Sequence, residues 1–357
     1  MASFVAALGV AWFFTLLVLR VSKRFAHLTN DHDLDGPQKI HASPVPRVGG
    51  VGIFLGCLVA IGLAGERSGG WLMACAIPAF GTGLWEDLTK RISPRMRLTA
   101  TAVSALAAGY LLGALLKRAD LWGLDWLLTF TPLAVLLTVL AVAGIANAIN
   151  IIDGFNGLAS MCVVIMLAGI AYVAQAAGDP LVFRLALVGA GAVLGFFLWN
   201  YPAGYIFLGD GGAYFLGFYV AELGILLITR NPTVSPLFPL LVCIYPVFET
   251  LFSIYRRIVV RGRSPSMPDG IHLHSLVFKR LVRWAVGSSD ARLRTRRNSM
   301  TSPYLWVLCM LSVFPAVLCW DSTEWLLAFL LLFSTGYVLL YSRIVRFKTP
   351  RWMILRR

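Results

Sequence analysis

Long apolar runs recur along nearly the whole chain, each close to the roughly 20 residues that a helix needs to cross about 30 Å of hydrocarbon. About eleven lie near residues 3–20, 48–65, 71–86, 98–116, 129–149, 158–177, 183–200, 211–229, 236–256, 303–320 and 325–342. Backbone polar groups in lipid must be satisfied within the protein, so runs of this length dictate helices packed side by side. The 357 residues are 13% charged, against about 25% for a soluble domain. We therefore read residues 1–357 as one all-α polytopic membrane domain with about eleven transmembrane helices. The first run has no basic segment before it and no small-residue cleavage site after it, so it is expected to be a retained helix.

Basic residues set the expected orientation. If the connection after the first run is cytoplasmic, that side carries 26 of the 31 Lys and Arg residues. The N-terminus is then outside and the C-terminus inside, with cytoplasmic loops at about 21–47, 87–97, 150–157, 201–210 and 257–302 and a basic tail at 343–357. Contact with anionic lipid headgroups accounts for the net charge of +14. Nucleic-acid binding is not expected, because no segment is long enough to form a folded basic domain. The six cysteines all fall in apolar runs without CxxC spacing and read as packing residues.

Polar chemistry gathers on the inner connections. Asn147, Asn150 and Asp153 recur every three residues at the inner end of the fifth run, close to one helical face, before the turn Gly154-Phe155-Asn156-Gly157. One carboxylate backed by amides suits a hard cation such as Mg²⁺, which binds through one or two carboxylates plus substrate phosphates. Asp210 is framed by Gly209, Gly211 and Gly212 at the start of the eighth run, where a helix N-terminus favours an anion. Glu86 and Asp87 are adjacent carboxylates able to divide the work of base and orienting group. Lys39, His41 and Arg47 mark a proline-stiffened loop suited to phosphate oxygens. His272 and His274, after Pro268-Asp269-Gly270, suit phosphate or sugar in a loop or short extended segment, with an amphipathic helix expected from His274 to Ala285. Pro246, near Glu249, is expected to bend the ninth run.

Taken in order from about Asp35 to His274, these segments resemble the polyprenyl-phosphate N-acetylhexosamine-1-phosphate transferase family, the group that includes MraY, WecA and TagO-like enzymes. The resemblance implies a bacterial inner-membrane enzyme. It would move an N-acetylhexosamine 1-phosphate from a UDP-sugar to undecaprenyl phosphate on the cytoplasmic face, with Mg²⁺ or Mn²⁺ and release of UMP. It further implies that Asp153 and Asp210 hold the metal and diphosphate, with Glu86 and Asp87 in place of the acidic pair. Asn147, Asn150 and Asn156 would support the site and nucleotide. Lys39, His41, Arg47, His272 and His274 would contact phosphates or sugar, while Arg256, Arg257 and Arg263 resemble a stretch expected to recognise the sugar nucleotide. Two departures stand out: Glu86 replaces the usual Asp, and Ser275 stands where a third His is common. The basic stretch before His272 looks closer to WecA-like enzymes, which start O-antigen or other surface glycans with GlcNAc or a related sugar, than to MraY-type transferases of phospho-MurNAc-pentapeptide. A homodimer is compatible with this reading. The rival from another class is a transporter or flippase of an anionic lipid or nucleotide-sugar, for which Glu222 is the acidic residue near mid-span.

Overall fold

The computed structural model describes residues 1–24, 45–262, 270–284, 286 and 290–355. Lys39, His41, Arg263 and Asp269 lie outside the described residues. Helices occupy the apolar runs: α1 (Ala2–Arg24), α2 (Gly50–Leu63), α3 (Arg67–Thr89), α4 (Pro94–Leu112), a short α5 (Leu124–Leu128), α6 (Thr131–Ile152), α7 (Leu158–Ala176), α8 (Pro180–Asn200) and α9 (Gly209–Arg230). Then follow α10 (Leu237–Val242), α11 (Ile244–Tyr255), α12 (Leu273–Leu276), α13 (Ala291–Ser299), α14 (Ser302–Leu318) and α15 (Thr323–Val345). Among the described residues there are no named strands, and seven helices are long and apolar enough to cross a membrane, α13 and α14 counting as one.

The bundle is built around α9, which is buried without interruption from Gly209 to Ile228. It packs against α2, α3, α4, α6, α7, α8 and α10. Without a hydrophobic driving force between helices in lipid, close backbone approach supplies the packing. Gly217 shows how: a Cβ there would overlap the backbone of Ala146 on α6. α1 lies in the angle between α2 and α8.

The ninth apolar run is two helices rather than one bent helix. α10 ends at Val242 and α11 starts at Ile244, with Cys243 at φ −93°, ψ 4° between them. Pro239 and Pro246 each fall at the third residue of their own helix, where a missing N–H costs no intrahelical bond. The bend expected at Pro246 is therefore a break just upstream of it.

The expected helix from His274 to Ala285 is also shorter. A π turn over Val277–Leu281 follows α12, and Val282 then forms an isolated parallel bridge with Leu355. The Arg283 N–H donates to the Leu355 carbonyl, and the Leu355 N–H to that of Leu281. The end of the basic tail is thus packed against the histidine segment.

Short connections tie the opposite end of the bundle. Arg184 pairs with Glu66 at 2.7 Å, Arg230 with Asp179 at 2.6 Å, and the Thr323 hydroxyl donates to Asp120. Asp179 also caps α8 by accepting from the Leu181 and Val182 N–H groups. Burial works to raise its pKa, but hydrogen bonds from Arg230, Val182 and Asn231 hold it below the usual carboxylate value. All the motifs singled out above, where described, lie at the other end.

Candidate active site

Three sets of contacts meet at the N-terminus of α9. The first is backbone geometry: the Gly49 and Gly50 N–H groups donate to the carbonyls of Phe207 and Leu208 at 3.0 and 2.9 Å, and the Phe207 N–H returns a bond to Pro46 at 2.8 Å. This pins the loop carrying Arg47 against the turn that opens α9. Gly209 sits at φ +76° in that turn, and a Cβ on it would overlap the Arg47 carbonyl oxygen. Gly209→Ala should cost about 1–3 kcal/mol for the left-handed backbone alone, with the clash added. A clear fall in the thermal midpoint of purified protein checks this; an unchanged midpoint would contradict the close approach.

The second is capping. The N-cap of α9, Leu208, supplies no side-chain bond. The cap comes from α3 instead: buried Asp87 accepts from the N–H groups of Asp210 and Gly211, both at 2.9 Å. Its neighbour Glu86 faces elsewhere, accepting from the Ile92 N–H at 2.7 Å across the turn after α3. The adjacent carboxylates therefore do different jobs.

The third is the side-chain ladder between α6 and α9. Asn150 donates its amide to Asp210 at 2.9 Å, and one turn deeper Asn147 accepts from the Tyr214 hydroxyl at 3.4 Å. Steps of three on α6 meet a step of four on α9, which keeps both pairs on facing stripes. Asp210 also pairs with Arg97, a buried residue of α4, and more loosely with Arg47 at 3.5 Å. The Arg97 guanidinium lies 5.4 Å over the Tyr214 ring.

Asp153 terminates α6 at φ −77°, ψ 56°. It is half-buried, and among the described residues its carboxylate makes no hydrogen bond or ion pair. Burial pushes its pKa up to about 7, opposed by the positive charge of Arg47. A half-buried carboxylate without a partner, close to the Asp210 cluster through their shared neighbour Arg47, is a group waiting for a cation or a proton. Among the described residues no cluster of three His, Cys, Asp or Glu side chains forms a complete cage. Asp153 and Asp210 are carboxylates of the kind that a hard cation such as Mg²⁺ takes, one or two at a time alongside waters and phosphates, with both Asp210 oxygens engaged by Asn150, Arg47 and Arg97.

Asn156 holds the loop in place. Its N–H donates to Asn298, its amide to the Pro202 carbonyl and Ser299 hydroxyl, and its carbonyl accepts from Ser302. Asn200 completes the clamp, accepting from the Gly157 N–H and donating to the Ile206 carbonyl. These bonds position Asp153.

The histidines come from the far side. His272 has extended backbone, φ −58°, ψ 154°, immediately before α12. That lets residues two apart share a face, and the His272 and His274 rings stack with centroids 5.2 Å apart. His274 meets Phe155 edge-on at 5.5 Å, and its Nε2 would lie 3.4 Å from a Cβ placed on Gly154. Arg256 is buried at the end of α11, 5.3 Å over the Tyr341 ring, and Arg257 is half-buried beside it. The structure thus brings Arg47, Asp87, Asn147, Asn150, Asp153, Asp210 and His274 to one region, with Glu86 and Asn156 in supporting contacts around it.

Sequence reasoning missed Arg97, Tyr214 and Tyr337, and linked Glu249 to the bend at Pro246 rather than to the histidines. A buried arginine at the fourth residue of its helix carries no local signature, although its place on the inner side was visible.

Comparison with known proteins gives the same direction. The sequence profile of glycosyl transferase family 4 matches residues 70–228, which include Glu86, Asp87, Asn147, Asn150, Asp153, Asn156 and Asp210. The chain is 32% identical to a probable undecaprenyl-phosphate N-acetylglucosaminyl 1-phosphate transferase of Bacillus subtilis, over 77% of each chain. It is 30% identical to an undecaprenyl-phosphate alpha-N-acetylglucosaminyl 1-phosphate transferase of Thermotoga maritima, covering 76% of this chain and 80% of that one. A protein of the same description from Escherichia coli is 25% identical over 74% of each.

Proposed function

The chain belongs to glycosyl transferase family 4, and from that premise we propose that it transfers an N-acetylhexosamine 1-phosphate from a UDP-sugar to undecaprenyl phosphate. GlcNAc is the favoured sugar, and the product starts a surface glycan such as O-antigen. An oxygen of the lipid phosphate becomes bonded to the sugar-bearing phosphorus, the bond from that phosphorus to the UMP phosphate breaks, and UMP leaves.

The observation that carries this reading is half-buried Asp153, whose carboxylate has no hydrogen-bond or ion-pair partner among the described residues, beside Arg47 and the Asp210 cluster. Phosphoryl transfer is mostly positioning and charge neutralisation, and this region supplies carboxylates for a divalent ion and guanidinium for phosphate oxygens. Mg²⁺, replaceable by Mn²⁺, would be held by Asp153 and Asp210 and would neutralise the diphosphate. Arg47 would contact phosphate. Asp87 serves the site through the α9 N-terminus. His274, stacked on His272 and edge-on to Phe155, faces the same turn and suits the sugar nucleotide, as do Arg256 and Arg257. The proposal includes an inner-membrane placement with this end cytoplasmic, and eleven crossings in which α10 and α11 share one. A transport route is disfavoured because Glu222 is wholly enclosed in α9.

The test is incubation of purified protein with Mg²⁺, undecaprenyl phosphate and a set of UDP-N-acetylhexosamines, following UMP and lipid-linked sugar. UMP release dependent on both lipid phosphate and Mg²⁺ is expected, highest with UDP-GlcNAc. Absence of UMP with every donor would sink the proposal.

A further inference from the structure

Glu249 lies on α11, three residues past Pro246 and outside the site residues expected from sequence, and is 1% exposed. A buried carboxylate is expensive unless its oxygens are satisfied by donors. Here three donors converge on it. His272 Nδ1 lies 2.9 Å from Oε1, the Leu273 N–H reaches both oxygens at 3.3 Å, and the Tyr337 hydroxyl donates to Oε2 at 2.6 Å. Leu273 N–H can only donate, and an ionised carboxylate can only accept. Glu249 is therefore placed to receive a His272 Nδ1 proton, and in the neutral imidazole Nε2 is then the accepting nitrogen.

The same contacts reach across the molecule. Tyr337 is a buried residue of α15 packed edge-on against Phe248 at 5.2 Å and Phe252 at 5.7 Å of α11. One turn further along α15, the Tyr341 hydroxyl donates to the Ile271 carbonyl at 3.0 Å, and its ring lies under Arg256. The last helix thus grips the backbone on one side of His272, and Glu249 grips its ring and the backbone on the other. His272 in turn stacks on His274, whose ring lies against Gly154, next to Asp153.

We propose that Glu249, backed by Tyr337, is a positioning residue that fixes the Nδ1–H tautomer and orientation of His272 and so sets the stacked histidine pair against the Asp153 turn. The inference rests on the transferase reading of the site. Orienting carboxylates of this kind act by holding an imidazole in one tautomer, and removing such partners costs about 10- to 100-fold in activity at metal sites.

The test uses full-length protein in lipid nanodiscs with ¹⁵N-labelled histidine, with the His272 ring signals assigned by their loss in His272→Gln. The wild-type spectrum should show His272 as the Nδ1–H tautomer. In Glu249→Gln the amide has one accepting oxygen for three donors, so His272 should switch toward Nε2–H, accepting at Nδ1 from the new NH₂. UMP release should fall by about 10- to 100-fold, with partial recovery in Glu249→Asp. Tyr337→Phe should retain the tautomer and lose less activity. A wild-type Nε2–H tautomer would overturn the proposal, as would Glu249→Gln turning over at the wild-type rate after the switch. Should the wild type release no UMP at all, the transferase reading falls, and with it the catalytic purpose of the arrangement; the tautomer would still decide its geometry.

Discussion

Asp153→Asn is expected to lower UMP release by about 10²- to 10³-fold, the usual cost of deleting one preorganised electrostatic group, while leaving the fold intact. Asp210→Asn should lose comparable activity and stability besides. The difference lies in their partners. Asp153 makes no side-chain bond among the described residues, so an amide of the same shape breaks nothing. Asp210 neutralises the buried Arg97, and stranding a buried cation costs roughly 3–5 kcal/mol. Its looser contact with Arg47 at 3.5 Å is part-exposed and adds little. Thermal melts beside activity assays separate the cases. Equal stability losses in the two variants would contradict the pairing described here.

The pH dependence of the first variant follows from the same carboxyl. In the folded chain Asp153 is pushed up to about 7 from 3.8, first by burial and against the pull of Arg47. The folded state therefore binds this proton more tightly than the unfolded one. Its contribution to stability is fully present below about 3.8 and is lost as pH rises through about 7. In metal-free buffer, Asp153→Asn should remove that decline, so the variant should match or exceed the wild-type melting temperature at pH 8. A divalent ion must displace the same proton, so Mg²⁺ affinity should strengthen as pH rises toward 7 and level off above it.

Much of the fold was legible because an apolar run near 20 residues long in lipid leaves the backbone few choices. The shared face of Asn147 and Asn150 was legible too, since a spacing of three states which face the side chains share, whereas Asp153 leaves the helix just beyond them. What escaped were contacts whose partners lie far along the chain. Glu249 receives Tyr337 from 88 residues away, and a lone acid inside an apolar run does not announce its donor. Arg97 looked like one more cytoplasmic cation until α4 placed it under Asp210. Asn156 read as a support for the site and nucleotide, and its partners Asn298, Ser299 and Ser302 come from a segment more than 140 positions later. The break at Cys243 was displaced from the proline that suggested it, because Pro246 is harmless in the first turn of a new helix.

The acidic pair offers the sharpest remaining contrast: Asp87→Asn should cost about 10²-fold or more in UMP release, whereas Glu86→Gln should stay within a few-fold of wild type. From the sequence either carboxylate could be the working one. In the fold, Asp87 is 2% exposed and satisfies two N–H groups of α9 that have no intrahelical partner. Asparagine keeps one acceptor and turns an NH₂ toward the second N–H, leaving a buried donor unpaired at about 1–3 kcal/mol. Asp210 carries one of those N–H groups, so its carboxylate, proposed above to hold the metal, shifts with the helix start. A displacement near 1 Å is enough for about 10²-fold in rate. Glutamine at 86 still offers an amide oxygen to the Ile92 N–H, and that bond closes a turn directed away from Asp210. Paired measurements of UMP release and melting temperature decide the matter. A severe loss in Glu86→Gln with its stability unchanged would mean that Glu86 swings into the site when substrate binds, and would transfer the catalytic assignment to it.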